Sequence, residues 1–225
     1  MTRVHTQMAG TSRASLAFYA LARVLVVGFA RTWNRVPVEG REHVPAHGAF
    51  ILAPVHRSNM DTPYAACATR RRLRFMGKDS LWKRQPGAWL LSALGGFPVS
   101  RGTADREALH RCLDVLRAGE PLVVFPEGER KSGPMVHPLF EGAAYLAAKA
   151  GVPIIPVGIG GSERVMPKGS KFIRPSKVAV IIGEPLTATV NAKGQVWRSA
   201  TRDLSNRLHE ELQRLFDQAQ VRAGC

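Results

Sequence analysis

The chain has 225 residues, 45% of them apolar, which is enough for one domain with a substantial hydrophobic core. Lysine and arginine number 32 against 17 acidic residues, and the net charge of +15 indicates a polyanionic partner such as nucleic acid, anionic lipid or a phosphorylated small molecule. Cys67, Cys112 and Cys225 are odd in number and lack metal-ligand spacing, which argues against a disulfide framework or a metal site and fits a reducing compartment.

The first predicted element is an apolar helix from Ala14 to Trp33. Its uncharged run, Val24 to Ala30, is too short for a bilayer span of about 20 residues. No small-residue cleavage site follows it, which argues against a signal peptide. The helix either packs in a core or lies in a membrane interface with Arg23 and Arg31 reaching lipid phosphates. Its basic flanks favour the interfacial position.

Strands and helices alternate along the rest of the chain. Strands are predicted at 36–47 in part, 49–54, 73–76, 122–125, 152–159 and 178–182. Helices are predicted from 62 to about 69, at 80–94, at 103–118 with Thr103 as N-cap, at 139–150 and at 197–219. The alternation predicts an α/β fold, a single domain with a mostly parallel β-sheet flanked by helices.

Three details of these elements are open to test. The prolines of 152–159 place that strand near an edge or a bulge. Trp82, Trp89 and Leu90 form an apolar helix face, for which core packing is favoured over contact with a membrane. The arginine run at 70–74 is typical of a solvated face, and it also suits a phosphate site.

His56 and Asp61 flank the turn after the strand 49–54. Ligands bind at the C-terminal ends of strands in such sheets, so the turn lies at a candidate site. Asp61 can accept the Nδ1 proton of His56, fix the tautomer and leave Nε2 free as a general base. Two plainer alternatives are a surface ion pair and a helix cap formed by Asp61.

Charged residues also follow two other strands. Arg101 ends a segment that contains glycine and proline, and Glu127, Gly128 and Arg130 follow the strand 122–125. A glycine among charged side chains allows close approach of the backbone to a ligand. Arginine binds phosphate through two parallel hydrogen bonds.

Taken together, four motifs resemble the glycerolipid acyltransferase family, in particular its PlsC-type lysophosphatidate acyltransferases. In chain order they are His-x-x-x-x-Asp at 56–61, a glycine-containing segment ending in arginine at 96–101, Phe-Pro-Glu-Gly-x-Arg at 125–130 and Val-Pro-x-x-Pro-Val at 152–157. The resemblance covers about residues 36–190. Ser100 stands where the family often has aspartate and Glu129 where it usually has threonine, and both departures bear on acceptor preference.

The resemblance implies an O-acyltransferase of phospholipid biosynthesis. It would move a fatty acyl group from acyl-CoA or acyl carrier protein to the free hydroxyl of 1-acyl-glycerol-3-phosphate, making phosphatidic acid, with no cofactor beyond the thioester co-substrate. His56 is the implied base, oriented by Asp61, and backbone amides near their turn are expected to stabilise the oxyanion. The implied substrate-binding residues are Lys78, Arg101, Glu127, Gly128 and Arg130. Glu127 is expected to hydrogen-bond an acceptor hydroxyl or to orient an arginine.

Two alternatives stay open. The first keeps the chemistry and changes the acceptor to glycerol-3-phosphate, another lysophospholipid or a glycolipid precursor. The second is a non-catalytic basic protein that binds a membrane or nucleic acid, but the sequence contains no nucleic-acid motif, and no nucleic-acid partner is expected.

The predicted organisation has three parts. Residues 1–35 form a membrane-interface segment, 36–190 the acyltransferase domain, and 191–225 a C-terminal amphipathic helix packed on that domain. The predicted location is the cytoplasmic face of the cell membrane, where the positive charge would bind anionic phospholipid.

Overall fold

A computed structural model describes residues 10–99, 106–167, 169–170, 172–189 and 198–225 of the chain. The strands are β1 (Val38–Glu39), β2 (Ile51–Pro54), β3 (Arg74–Lys78), β4 (Gly96–Val99), β5 (Leu122–Val123), β6 (Ile154–Gly160) and β7 (Ala179–Ile182). Within the described residues these seven form one sheet in the order β1-β7-β6-β2-β5-β3-β4. Every pair is parallel except β6 with β7. The mostly parallel sheet predicted from the sequence is confirmed.

Helices flank this sheet. They are α1 (Arg13–Trp33), α2 (Asp61–Ala65), α3 (Gln85–Ala93), α4 (Arg106–Arg117), α5 (Gly142–Ala150), α6 (Ser162–Val165) and α7 (Arg198–Ala223). α7 packs along β6 and β7, α5 contacts α4 and α7, and α1 contacts α2 and α3. The predicted cap Thr103 lies outside the described residues.

The core lies around the central strands. All residues of β2 and β6 are buried, which explains why both read as continuous apolar runs rather than alternating ones. Gly158 of β6 allows α7 to approach closely, because a Cβ atom there would collide with the backbone of Leu215. Leu208, Leu212 and the other apolar residues of the predicted stripe on α7 are buried against the sheet.

β6 is an interior strand, between β7 and β2, so the prediction of an edge is wrong and the prediction of a bulge is supported. Val157 pairs with Ile182, whereas Ile154 pairs with Leu186. Three residues along β6 therefore correspond to four along its neighbour, which is the one-residue excess of a bulge. Pro156 lies beside this excess and accepts a hydrogen bond from the amide of Gly183 through its carbonyl.

The predicted helix at 80–94 is divided. Residues 79–82 form a 3-10 turn, and α3 begins only at Gln85, with proline in its first turn, where the missing N–H costs nothing. Trp82 is buried and donates to the hydroxyl of Ser92. Trp89 and Leu90 are 52% and 41% exposed, so core packing holds for Trp82 and not for them.

The arginine run around β3 serves the fold. Arg71 donates to the carbonyls of Pro45, Gly48 and Gly119, and Arg72 donates to those of Gly10, Ser92 and Ala93. Arg74 is buried and paired with Glu120. The guanidinium groups of Arg71, Arg72 and Arg74 are bonded within the protein and do not form a phosphate site, whereas Arg70 is exposed, as expected of a solvated face.

α1 presents an apolar surface to solvent. Its large exposed apolar residues are Leu16, Leu21, Val24, Leu25, Phe29 and Trp33. Only Ser15, Val27 and Ala30 are buried, so α1 is not a core helix. By length and composition alone it is also long enough to cross a membrane. Arg23, expected at lipid headgroups, instead donates to the carbonyl of Thr69 at 2.7 and 3.1 Å and ties α1 to the domain.

Candidate active site

His56 follows β2 directly, and Asp61 opens α2. The Nδ1 of His56 donates to Asp61 Oδ2 over 3.0 Å, and the same oxygen accepts the amides of Arg57 and Ser58 at 2.6 Å each. Asp61 is fully buried, which keeps water from competing for these bonds. The arrangement leaves Nε2 of His56 without a hydrogen-bond partner among the described residues. The His56 side chain as a whole is 17% exposed.

The imidazole plane is fixed by packing. The ring of His56 stacks on Phe125, with centroids 4.0 Å apart and an interplanar angle of 23°. The helix-cap alternative for Asp61 does not fit, because the N-cap of α2 is Met60 and its side chain makes no capping bond. A surface ion pair does not fit either, because the carboxylate is inaccessible. The geometry is that of a general base held in one tautomer.

A buried ion pair lies beside the base. Arg57 and Glu127 are 1% and 0% exposed, and Arg57 Nη1 donates to the two carboxylate oxygens at 3.0 and 2.8 Å. Glu127 also accepts the amide of His56 at 3.1 Å and that of His137 at 3.0 Å. Both oxygens of Glu127 are therefore occupied within the protein. Of its two expected roles, the structure shows the orientation of an arginine, and that arginine is Arg57.

Arg57 was not predicted as a site residue. Its guanidinium also donates to the carbonyls of Met135 at 2.8 Å and Gly133 at 3.3 Å, and lies 4.8 Å from the centroid of the Phe216 ring. It thus joins the turn of the base to the loop after β5 and to α7. The only signal in the sequence is an unexplained cation inside the His-x-x-x-x-Asp turn.

The loop after β5 passes next to the base. The amide of Lys131 donates to the carbonyl of His56 over 2.9 Å. Gly128 has a positive φ of 74°, and a Cβ atom there would come within 2.6 Å of the ring of Phe140, so glycine is required. Arg130 is half-buried and makes no hydrogen bond or ion pair within the described part of the chain. Arg130 directly precedes Lys131, whose amide is bonded to His56.

Lys78, another of the predicted site residues, lies at the same edge of the sheet. Lys78 ends β3 and pairs with Val99 at the end of β4, and both strands run parallel to the others at this edge. The side chain of Lys78 lies outside the part of the chain that the structure describes, and so does Arg101, two residues beyond Val99.

The amides of the turn are already engaged. Those of His56, Arg57 and Ser58 donate to carboxylates, and those of Met60 and Asp61 donate to Ser58. These five amides are therefore committed within the turn, and the expectation that other backbone amides near it stabilise an oxyanion stays a prediction.

Other nucleophiles are ruled out by their surroundings. The hydroxyl of Ser58 donates to the carbonyl of Met166 over 3.0 Å. Burial raises the pKa of the Cys112 thiol to about 12 and also raises the pKa of Cys67, so both stay protonated at neutral pH. The site thus suits direct attack by an acceptor hydroxyl rather than formation of a covalent enzyme intermediate.

A histidine–aspartate pair lies at the carboxyl edge of an α/β sheet, near a loop whose Arg130 has no partner among the described residues, and this arrangement suits proton transfer at an anionic substrate. The acyltransferase family profile matches residues 35–160, more than half of the chain. The chain belongs to the acyltransferase family.

Individual relatives agree. The chain is 28% identical over 156 residues to a chloroplastic 1-acyl-sn-glycerol-3-phosphate acyltransferase of Brassica napus, covering 68% of this chain and 45% of that protein. It is 27% identical to the 1-acyl-sn-glycerol-3-phosphate acyltransferase of Bacillus subtilis, covering 67% and 73%. The chain thus spans less than half the length of the plant relative. The crystal structure of PlsC, the 1-acyl-sn-glycerophosphate acyltransferase of Thermotoga maritima, superposes with a TM-score of 0.74 at 28% identity, covering 94% of this chain and 84% of that one.

Proposed function

We propose that this protein transfers a fatty acyl group from a thioester to the free hydroxyl of 1-acyl-glycerol-3-phosphate, producing phosphatidic acid. The observation that carries the proposal is the His56–Asp61 pair, with Nδ1 bound to the carboxylate and the imidazole partly exposed. Nε2 takes the hydroxyl proton as the oxygen attacks the thioester carbonyl. The tetrahedral intermediate then collapses, the C–S bond breaks, and the imidazolium returns the proton to the departing thiolate.

The choice of acceptor rests on charge and on the relatives. Arg130 offers an unpaired guanidinium one residue before Lys131, whose amide binds the carbonyl of His56. A phosphate held there would place the neighbouring hydroxyl near Nε2, since remote binding energy positions the reacting group. Arg101 and Lys78 are proposed as further phosphate contacts from their motif positions. The relatives named above act, by name, on 1-acyl-sn-glycerol-3-phosphate.

The donor is proposed to be acyl-CoA or acyl carrier protein, which present the same thioester. No cofactor is proposed, because proton transfer, attack and departure of a thiolate need none. The experiment that tests the function is thiol release from acyl-CoA with and without lysophosphatidate. The same measurement is then repeated with acylated acyl carrier protein as the donor. Glycerol-3-phosphate and other lysophospholipids serve as competing acceptors. Thiol release that does not depend on any acceptor would contradict the proposal.

Arg130→Ala is expected to raise KM for lysophosphatidate by about 10- to 100-fold, because a charge-assisted pair contributes roughly 1.5–3 kcal/mol. Steady-state kinetics with lysophosphatidate and with a monoacylglycerol lacking the phosphate give the comparison. Arg117→Ala on the exposed face of α4 is the matched control. Equal losses towards both acceptors would show that Arg130 does not bind the phosphate.

We further propose that α1 lies in the interface of an anionic membrane, on the cytoplasmic face where acyl-CoA is made. Its exposed apolar face supports this position, and so does the net charge of +15. The acceptor, whose acyl chain lies in the bilayer, would then be reached without leaving it.

Added salt is expected to weaken binding to anionic vesicles without abolishing it, because only the electrostatic part is screened. Changing Leu21, Val24 and Leu25 together to aspartate is expected to release the protein even at low salt. Co-sedimentation with liposomes measures both effects. Complete release of the unchanged protein by salt alone would show that apolar insertion of α1 does not hold it.

A further inference from the structure

The segment 161–178 joins the C-terminal end of β6 to the start of β7. Because β7 runs antiparallel to β6, the described residues of this segment lie at the edge of the sheet where β2 ends and His56 follows it. β1 runs parallel to β7, so its start, and with it the C-terminal end of α1, lies at this edge too. The base, the end of α1 and this segment therefore share one edge of the molecule.

Hydrogen bonds tie the segment to both neighbours. On one side, Asn34 donates to the carbonyls of Ser176 at 2.9 Å and Arg174 at 3.4 Å and accepts the amide of Val178 at 3.1 Å. On the other side, Met166 accepts the hydroxyl of Ser58 from within the turn of the base. The segment bridges the end of α1 and the catalytic turn.

Between these ties the segment presents apolar side chains to solvent. Phe172 is 81% exposed and Ile173 is 41% exposed. Ser170 Oγ accepts the amide of Phe172 and donates to its carbonyl, both at 3.2 Å, and the amide of Arg174 donates to Val165 at 2.9 Å. The local backbone thus fixes an exposed phenylalanine, whose exposure no packing within the described residues offsets.

We propose that the described residues between 166 and 177 form a second membrane-contact segment, with Phe172 and Ile173 in the boundary between headgroups and acyl chains of an anionic bilayer. The inference rests on the proposed function, because a lysophosphatidate acceptor held in a bilayer requires His56 to lie near the membrane surface. The exposed cations Arg174 and Lys177 would then contact lipid phosphates.

The positive charge of this segment favours an anionic bilayer as its binding partner. From residue 163 to 177 the sequence has five basic residues and one acidic residue, a net charge of 5 − 1 = +4. Arg31 and Arg35, at the adjoining end of α1, are exposed as well. An aromatic and an aliphatic side chain set among cations is the composition of an interfacial anchor. Contact here would place Met166, and through it Ser58 and the base, at the level of the acceptor headgroup.

The test compares Phe172→Asp with Tyr145→Asp in the full chain. Tyr145 is 43% exposed on α5, a helix that packs on α4 and α7 rather than on α1, and both changes lower the net charge equally. Partition onto vesicles of phosphatidylglycerol and phosphatidylcholine is measured by co-sedimentation. Phe172→Asp is expected to weaken it about tenfold and Tyr145→Asp less than about twofold. Phe172→Ser, which adds no charge, is expected to weaken partition by a factor between those of the two aspartate variants.

Activity gives a second comparison. Phe172→Asp is expected to lower acylation of long-chain lysophosphatidate in vesicles and to leave a short-chain, water-soluble lysophosphatidate acylated at the normal rate. Equal vesicle binding by the Phe172 and Tyr145 variants would overturn the proposal, whatever the activity. If the unchanged protein acylates no acceptor at all, the proposed function is wrong. The comparison of vesicle binding then still tests whether Phe172 contacts the membrane.

Discussion

Replacing His56 with alanine is expected to lower acyl transfer by about 10²–10⁴-fold, the range that a positioned general base contributes. The fold should persist, because the ring is partly exposed and its backbone bonds to Glu127 and Lys131 do not involve the side chain. Thiol release measures the loss, and thermal melting checks the fold. His47→Ala is the matched control, since His47 is exposed and precedes β2 at the opposite edge of the sheet. Near-normal turnover of His56→Ala would refute the mechanism.

Asp61 gives a graded version of the same test. All three donors converge on Oδ2, while Oδ1 is buried without a partner. Asp61→Asn can therefore keep an oxygen for these donors, while it loses the negative charge that stabilises the imidazolium and places an amide NH2 at the buried Oδ1 position, where the described residues offer no acceptor. Asp61→Ala loses the bonds as well, so it is expected to lose more activity than Asp61→Asn. The reverse order would mean that the tautomer is not set by Oδ2.

Arg57→Met is expected to lower the free energy of unfolding by about 3–5 kcal/mol, because Glu127 would stay buried without its countercharge. Urea unfolding gives the measurement. Adding Glu127→Gln to Arg57→Met should recover part of the loss, since no charge is then left uncompensated. Arg117→Met, at an exposed ion pair, should cost less than about 1 kcal/mol. Equal costs for the two arginines would show that the buried pair does not stabilise the fold.

The sequence predicted the parts of the site that are local in the chain. A strand, a turn and a helix place His56 and Asp61 together within six residues, so periodicity and turn geometry suffice. The Arg57–Glu127 pair could not be predicted in this way. Its members lie 70 residues apart, and they meet because β2 and β5 are neighbours, an order that alternating elements leave undetermined.

The apolar helices show a second limit. Helical periodicity identifies an apolar face but does not say whether protein covers it. Trp82 and Trp89 belong to the same predicted face, yet a 3-10 turn carries the first into the core and α3 carries the second to the surface. The position of Arg23 within an apolar helix predicts contact with lipid headgroups, whereas its guanidinium donates to the carbonyl of Thr69.

The contact between Phe216 and Arg57 has a consequence for how much chain must fold as one cooperative unit. The match to the family profile ends at residue 160, but β7 and α7 follow it. A fragment ending there would lack β7, so β6 would become an edge strand that can associate with other chains. It would also lack Phe216, whose ring packs on the guanidinium of Arg57. The smallest autonomously folding piece is therefore longer than the region of shared motifs. A relative that keeps the motifs without a counterpart of α7 needs another element to cover β6 and the guanidinium of Arg57.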